Sequence, residues 1–244
     1  MKNPSDFIAI ALDNLEDYGH IKNLINQTKP FCSIYKVGLE LFTRFGPPIL
    51  DCIRDADRGI FLDLKFHDIP NTVAKAVIAA SQLGVQYCTI HVQGGKAMMC
   101  AAVAAAKVLR DRGVIPPKLI GVTVLTSIDE HCLRNELNVG LSVEQQVQSL
   151  AQLAVAAGMD GVVCSAADLP KVKKTLPNAL EIITPGIRCS GSTVHDQKRV
   201  ATPKDAIANG ATLLVIGREV TLSEDPALSV QEILSNISTL FKNI

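Results

Sequence analysis

The stretch FIAIALD, residues 7–13, carries two kinds of side chain on its two faces. In an extended chain Ile8, Ile10 and Leu12 fall on one side, and Ala9, Ala11 and Asp13 on the other. Branched residues on one face call for a cover of helices. Small residues on the opposite face suit the crowded interior of a closed cylinder of strands. A polar residue at the strand's C-terminal end lies where such cylinders carry their active sites. The stretch therefore predicts the first strand of a (β/α)8 barrel.

Seven further stretches read as strands: IYKVGLE (34–40), GIFLDLKF (59–66), QYCTIHV (86–92), KLIGVTVLT (118–126), DGVVCS (160–165), EIITPGI (181–187) and TLLVIG (212–217). Apolar runs rich in Ile, Val and Leu are what a parallel sheet covered on its outer face requires. Helical patterns lie between them, among them PNTVAKAVIAASQL and VEQQVQSLAQLAVAA, and PPILDCIRDA opens on prolines that suit a first helical turn. AASQLGVQYCTIH, LAVAAGMDGVVCS and DAIANGATLLVIG share one punctuation, a helix stopping at Gly with a strand close behind. With strict alternation and no linker or low-complexity segment, residues 1–244 read as one α/β barrel domain. The alternative arrangement of the same elements is a doubly wound open sheet.

The chain has 244 residues, with 24 Lys+Arg against 24 Asp+Glu. That balance points away from nucleic acid and membrane surfaces, so an anionic ligand must be held by a few placed cations. Seven cysteines without a C-x-x-C pair argue against a disulfide framework or a zinc ribbon. The apolar run Phe7–Leu12 ends at Asp13, too short for a signal peptide or a membrane span. A cytoplasmic protein is expected.

Against this background DLKFHDIPNT, residues 63–72, is anomalous: it sets Asp63, Lys65 and Asp68 beside core residues. Buried charge is costly unless paired. Strand alternation puts Asp63 and Lys65 on the inner face, and Leu62, Leu64 and Phe66 on the helix-covered face. IYKVGLE places Lys36 inward on the neighbouring strand. An isolated Asp–Lys pair would be an ordinary salt bridge. Two lysines interleaved with Asp63 and Asp68 instead form a cluster without net charge, in which carboxylates keep the ammonium groups protonated despite burial. Such an ammonium is a general acid suited to a developing carbanion.

DLKFHDIPNT, the upstream YKVG and the early ALD resemble the orotidine 5′-phosphate decarboxylase family. The similarity extends in order through VTVLTS (122–127), TPGIR (184–188), DQKR (196–199) and VIGR (215–218), and covers essentially the whole chain. The resemblance implies that the protein turns orotidine 5′-phosphate into UMP without cofactor or metal. It implies that Lys65 protonates C6 of the pyrimidine, flanked by Asp63 and Asp68. It also implies a homodimer in which Asp68 reaches the partner's site, with Ile69 and Thr72 nearby. Lys36 would bond the ribose and orient Asp63, and Asp13 would accept from a ribose hydroxyl. Thr126 and Ser127 would meet the nucleotide, Ser127 at the pyrimidine amide edge.

The phosphate end follows from barrel geometry as well. Barrels often bind phosphate at the loops after strands seven and eight. Those loops carry Arg188 and Gln197, then Gly217 and Arg218. Each Arg offers a guanidinium fork near a Gly that lets backbone approach oxygen atoms. Residues 189–200, with Gly191 and Gln197, read as a lid over the phosphate. QGGKAMM (93–99) lacks P-loop spacing. His67 reads as a supporting residue, because Lys65 already supplies the proton, and His91 ends the fourth strand. Two rivals share the barrel: a magnesium-dependent phosphosugar decarboxylase or aldolase, and a barrel kept only to bind nucleotide.

Overall fold

The computed structural model describes residues 3–15, 17–188 and 201–240. Eight parallel strands close into a barrel in chain order, β1 pairing with both β2 and β8. They are β1 Ile8–Ala11, β2 Ile34–Gly38, β3 Gly59–Phe66, β4 Tyr87–His91, β5 Lys118–Val122, β6 Gly161–Val163, β7 Glu181–Thr184 and β8 Leu213–Ile216. The helices are α1 Tyr18–Thr28, α2 Leu39–Phe45, α3 Asp51–Asp55, α4 Pro70–Gln82, α5 Gly95–Asp111, α6 Val143–Ala156, α7 Leu169–Thr175, α8 Pro203–Ala208, α9 Arg218–Thr221 and α10 Pro226–Ser238. The open-sheet alternative is thereby set aside. None of the described helices is long and apolar enough to cross a membrane.

Two cores follow from the alternation in β1. Ala9 and Ala11 join Ile34, Phe61, Ile120, Ile183, Leu213 and Val215 inside the cylinder. Ile8, Ile10 and Leu12 belong to the larger core between sheet and helices. Local chemistry fixes where the covering helices begin. The Asp17 carboxylate accepts from the His20 N–H at the start of α1, and Ser142 and Gln145 cap each other's backbone at the start of α6. The three helix-ending glycines, Gly84, Gly158 and Gly210, adopt φ of 65°, 81° and 106°, where a side chain would be strained.

Every strand but β3 stops short at its C-terminal end of what the sequence pattern suggests. Leu39 and Glu40 open α2 instead of finishing β2, and β5, β6 and β7 stop at Val122, Val163 and Thr184. Thr123 shows why β5 ends. Its hydroxyl donates to the Val163 carbonyl at 2.7 Å, and beyond it the chain leaves the sheet. Thr126 and Ser127 therefore sit in a turn past β5, not on the strand.

The N-terminal end of the barrel is closed by polar side chains. Lys118 donates to Glu181 at 2.6 Å and lies 5.5 Å from the Tyr87 ring centre, and the Thr212 hydroxyl donates to the other Glu181 oxygen at 2.6 Å. These residues start β5, β7 and β4 or just precede β8. The opposite end is where the barrel opens.

Candidate active site

A cavity of about 430 Å³ occupies the C-terminal mouth, floored by Ala11, Phe61, Ile183 and Val215 of the inner core. β1, β2 and β3 feed a line of alternating charge into one side of it. Asp13 follows β1, Lys36 lies at the middle of β2, and the register of β2 against β3 pairs Gly38 with Asp63. Lys36 Nζ lies 2.7 Å from Asp13 Oδ2 and 3.4 Å from Asp63 Oδ2, and Lys65 Nζ lies 2.8 Å from that same Asp63 oxygen. The result is Asp13–Lys36–Asp63–Lys65.

This line differs from the expected one in one member. Asp68 was expected to complete it, but Asp68 is exposed on the loop before α4, where its carboxylate accepts from the Ile69 N–H at 2.6 Å. Asp13 takes the fourth place within the chain. The reason is positional: Asp68 lies beyond the end of β3, whereas Asp13 leaves the neighbouring β1 directly beside Lys36.

Lys65 reaches its position through an irregular strand. Leu62 pairs with Cys88 and Phe66 with Ile90, so β3 takes four steps where β4 takes two. Within this bulge Lys65 has φ of 50°, in the left-handed region. For a residue with a Cβ that conformation costs roughly 1–2 kcal/mol. Simple alternation put Lys65 on the correct face, but the bulge is what aims it. The backbone N–H of Lys65 donates to the Thr89 hydroxyl at 2.9 Å, and that hydroxyl donates to Asp63 Oδ1 at 2.8 Å. Thr89 escaped sequence reasoning because a threonine in a strand is ordinary.

Electrostatics explain how so much charge is tolerated. Burial is the largest influence on Lys36 and pulls its pKa down, but the charges of Asp63 and then Asp13 outweigh it and leave it raised. Burial likewise pushes the Asp63 carboxyl up, and Lys36 and Lys65, with hydrogen bonds from Lys65 and Thr89, bring it below the usual range. Lys36 is thus held as the ammonium and Asp63 as the carboxylate. His91 is lowered, first by burial and then by the neighbouring His67 and Lys65, which keeps it neutral. Its ring stands 5.4 Å from that of His67.

The remaining wall brings together four of the other predicted residues. Arg188 beyond β7 and Gly217 and Arg218 beyond β8 line the cavity, as does Thr126. The guanidinium of Arg188 donates to the Ile187 carbonyl at 2.8 Å. Ser127 is exposed and does not line the cavity. Ile69 and Thr72 are exposed near Asp68, and none of these three lines the cavity either. Gln197 and the lid expected over 189–200 lie outside the described residues. Asn14 and Glu40 also line the mouth and were not anticipated; the Asn14 N–H donates to Glu40 at 3.4 Å. Glu40 was hidden by its assignment to a strand. Gly38 lies beneath the charges, where a Cβ would come within 2.5 Å of Asp13 Oδ1 and 3.2 Å of Lys36 Nζ.

Known proteins share this arrangement of chain. The family model described as orotidine 5′-phosphate decarboxylase / HUMPS family matches residues 6–233. An orotidine 5′-phosphate decarboxylase of Prochlorococcus marinus (strain NATL1A) is 43% identical over 97% of this chain and 98% of its own length. One of Dichelobacter nodosus is 50% identical over 83% of this chain and 86% of its own. The crystal structure of the Lactobacillus acidophilus orotidine 5′-phosphate decarboxylase superposes with a TM-score of 0.82 at 35% identity, covering 94% of this chain and 98% of that one. With a match over nearly its full length and relatives 43% and 50% identical, the chain belongs to the orotidine 5′-phosphate decarboxylase / HUMPS family.

Proposed function

We infer that this protein decarboxylates orotidine 5′-phosphate to UMP in pyrimidine biosynthesis, with Lys65 as the acid. The observation that carries the reading is the line Asp13–Lys36–Asp63–Lys65 at one side of a cavity that also holds Arg188 and Arg218. The substrate matches that division of charge. Its phosphate is taken by the two guanidinium groups, with Gln197 assigned to the same end, and at Gly217, beside Arg218, a Cβ would meet Ala11 Cβ at 3.8 Å. Asp13 and Lys36 meet the ribose hydroxyls. Thr126 and Ser127 meet the base.

In the proposed reaction the bond between C6 and its carboxylate breaks, carbon dioxide leaves, and the electron pair stays on C6. Lys65 Nζ then gives a proton to C6 and regains one from water. The difficulty lies in the carbanion, which no neighbouring π-system absorbs well. A fixed ammonium about 4 Å from the developing charge is worth roughly 4 kcal/mol at an effective dielectric of 20. Asp63 holds that ammonium in place and repels the substrate carboxylate. No metal or organic cofactor is assigned a step.

The same reading makes the protein a cytoplasmic homodimer in which Asp68, Ile69 and Thr72 complete the partner's site. Their exposure supports it: Ile69, a large apolar residue, is 66% exposed at the rim. The decisive experiment is to incubate metal-stripped protein with orotidine 5′-phosphate and follow its ultraviolet absorbance. Loss of absorbance at an equal rate with and without chelator is expected. No loss overturns the activity, and loss only with added magnesium favours the metal-dependent rival.

Arg218→Ala tests the phosphate end. One charge-assisted contact is worth about 1.5–3 kcal/mol. The variant is expected to lose roughly 100-fold in kcat/KM for orotidine 5′-phosphate, mostly in KM. Its slow turnover of orotidine, which lacks the phosphate, is expected to stay near that of the unmodified protein. Equal losses on both substrates would remove Arg218 from the phosphate site.

A further inference from the structure

Thr89 on β4 has no task in the chemistry so far, yet it touches both members of the central ion pair. The residue is wholly buried. Its hydroxyl has one proton to give and gives it to Asp63 Oδ1; its oxygen accepts the Lys65 N–H. Both contacts fall where β3 slips two residues against β4 and where Lys65 takes its left-handed turn. A backbone N–H displaced from a regular ladder needs another acceptor, and a carboxylate shared by two lysines needs something to fix its plane. One hydroxyl does both.

We propose that Thr89 is a positioning residue for decarboxylation: its hydroxyl sets the turn that aims the Lys65 ammonium and the orientation of the Asp63 carboxylate that steadies it. The inference rests on the decarboxylase reading above. Thr89 does not line the cavity, so its removal acts through Lys65 and Asp63. Misplacing a catalytic group by about 1 Å can lower a rate roughly 100-fold.

Thr89→Val keeps the shape and removes both hydrogen bonds, whereas Thr89→Ser keeps the hydroxyl. For folded protein, with folding verified by thermal melting, Thr89→Val is expected to lower kcat about 10- to 100-fold with KM changed less than threefold. Thr89→Ser is expected to retain kcat within about threefold. A purely structural threonine would lower the melting temperature and leave kcat intact, and that result overturns the proposal. So does a loss of kcat/KM that comes from a higher KM alone. Should the valine protein fail to fold, Thr89→Ala measured beside Thr89→Ser decides in the same way: low kcat for Ala alone supports the proposal, and unchanged kcat for Ala overturns it. Unmodified protein in the same assay separates the two readings. If it is inactive, the decarboxylase reading falls; if it is active and the valine variant equals it, only the role of Thr89 falls.

Discussion

Lys65→Ala is expected to reduce kcat for orotidine 5′-phosphate by about 10⁴-fold or more while the barrel stays folded. General acid catalysis contributes about 10²–10⁴-fold, and a fixed charge at the developing carbanion adds to it. A 10⁴-fold loss corresponds to about 5.5 kcal/mol of transition-state stabilisation. The fold is expected to survive because the deletion orphans nothing. Asp63 keeps Lys36 at 3.4 Å and the Thr89 hydroxyl at 2.8 Å, and the Lys65 side chain is already 29% exposed. Two measurements check the prediction: steady-state turnover at saturating substrate, and a thermal melt alongside UMP affinity. Residual activity above about 1% in a folded variant that still binds UMP would mean that another group delivers the proton.

Asp63→Asn carries the second large effect, because one atom is asked to serve two cations. Asp63 Oδ2 faces both Lys36 and Lys65. Neutralising it leaves two ammonium groups repelling each other, only one of which retains a carboxylate, Asp13. Breaking a buried pair typically costs about 3–5 kcal/mol. With Lys36 still partnered, a loss of about 3 kcal/mol in stability is expected, together with a fall in kcat of about 10³-fold as Lys65 loses its anchor. The pH dependence has a definite sign. The Asp63 pKa is lowered on folding, so its contribution is complete above the ordinary aspartate value near 4 and disappears as pH falls through the depressed value. The stability gap between the unmodified protein and Asp63→Asn is therefore expected to be constant at neutral pH and to narrow below about pH 4. Denaturant titrations at a series of pH values measure it; a gap that widens in acid would contradict the assignment of Asp63 as a buried anion.

The barrel was legible because its strands advertise two different neighbours. Alanines inside and branched residues outside, as in β1, have few other uses, and the glycines at three helix exits, Gly84, Gly158 and Gly210, marked where the next strand would begin. Strand ends were less legible. Apolar side chains continue past the last ladder pair in Thr123–Leu125 and Pro185–Ile187, and nothing in their identity says that the adjoining strand has already ended. Leu39 and Glu40 show the same ambiguity, because a short helix and a strand share that composition.

Within the site, charge was easy to find and its wiring was not. Lys36, Asp63 and Lys65 stood out against apolar strands, and the arginines stood at the two loops where barrels hold phosphate. Within the chain the fourth place goes to Asp13, close in space to Lys36, and not to Asp68, which is close in sequence to Lys65. A left-handed lysine leaves no trace in a sequence. Nor does the hydroxyl that receives its N–H: in QYCTIHV, Thr89 is an unremarkable residue for a strand.

The hydrogen that Gly38 carries in place of a side chain has a consequence for any survey of tolerated substitutions. Even a methyl group there would collide with Asp13 Oδ1, 2.5 Å away, and crowd Lys36 Nζ. Gly38→Ala is expected to lower kcat/KM roughly tenfold by prising Asp13 from its partner, with little change in melting temperature, since Asp13 can swing toward solvent. A position that donates no atom to the reaction would then score beside those that do, and a map of intolerance drawn from such a survey would enclose an empty volume as faithfully as a reactive group.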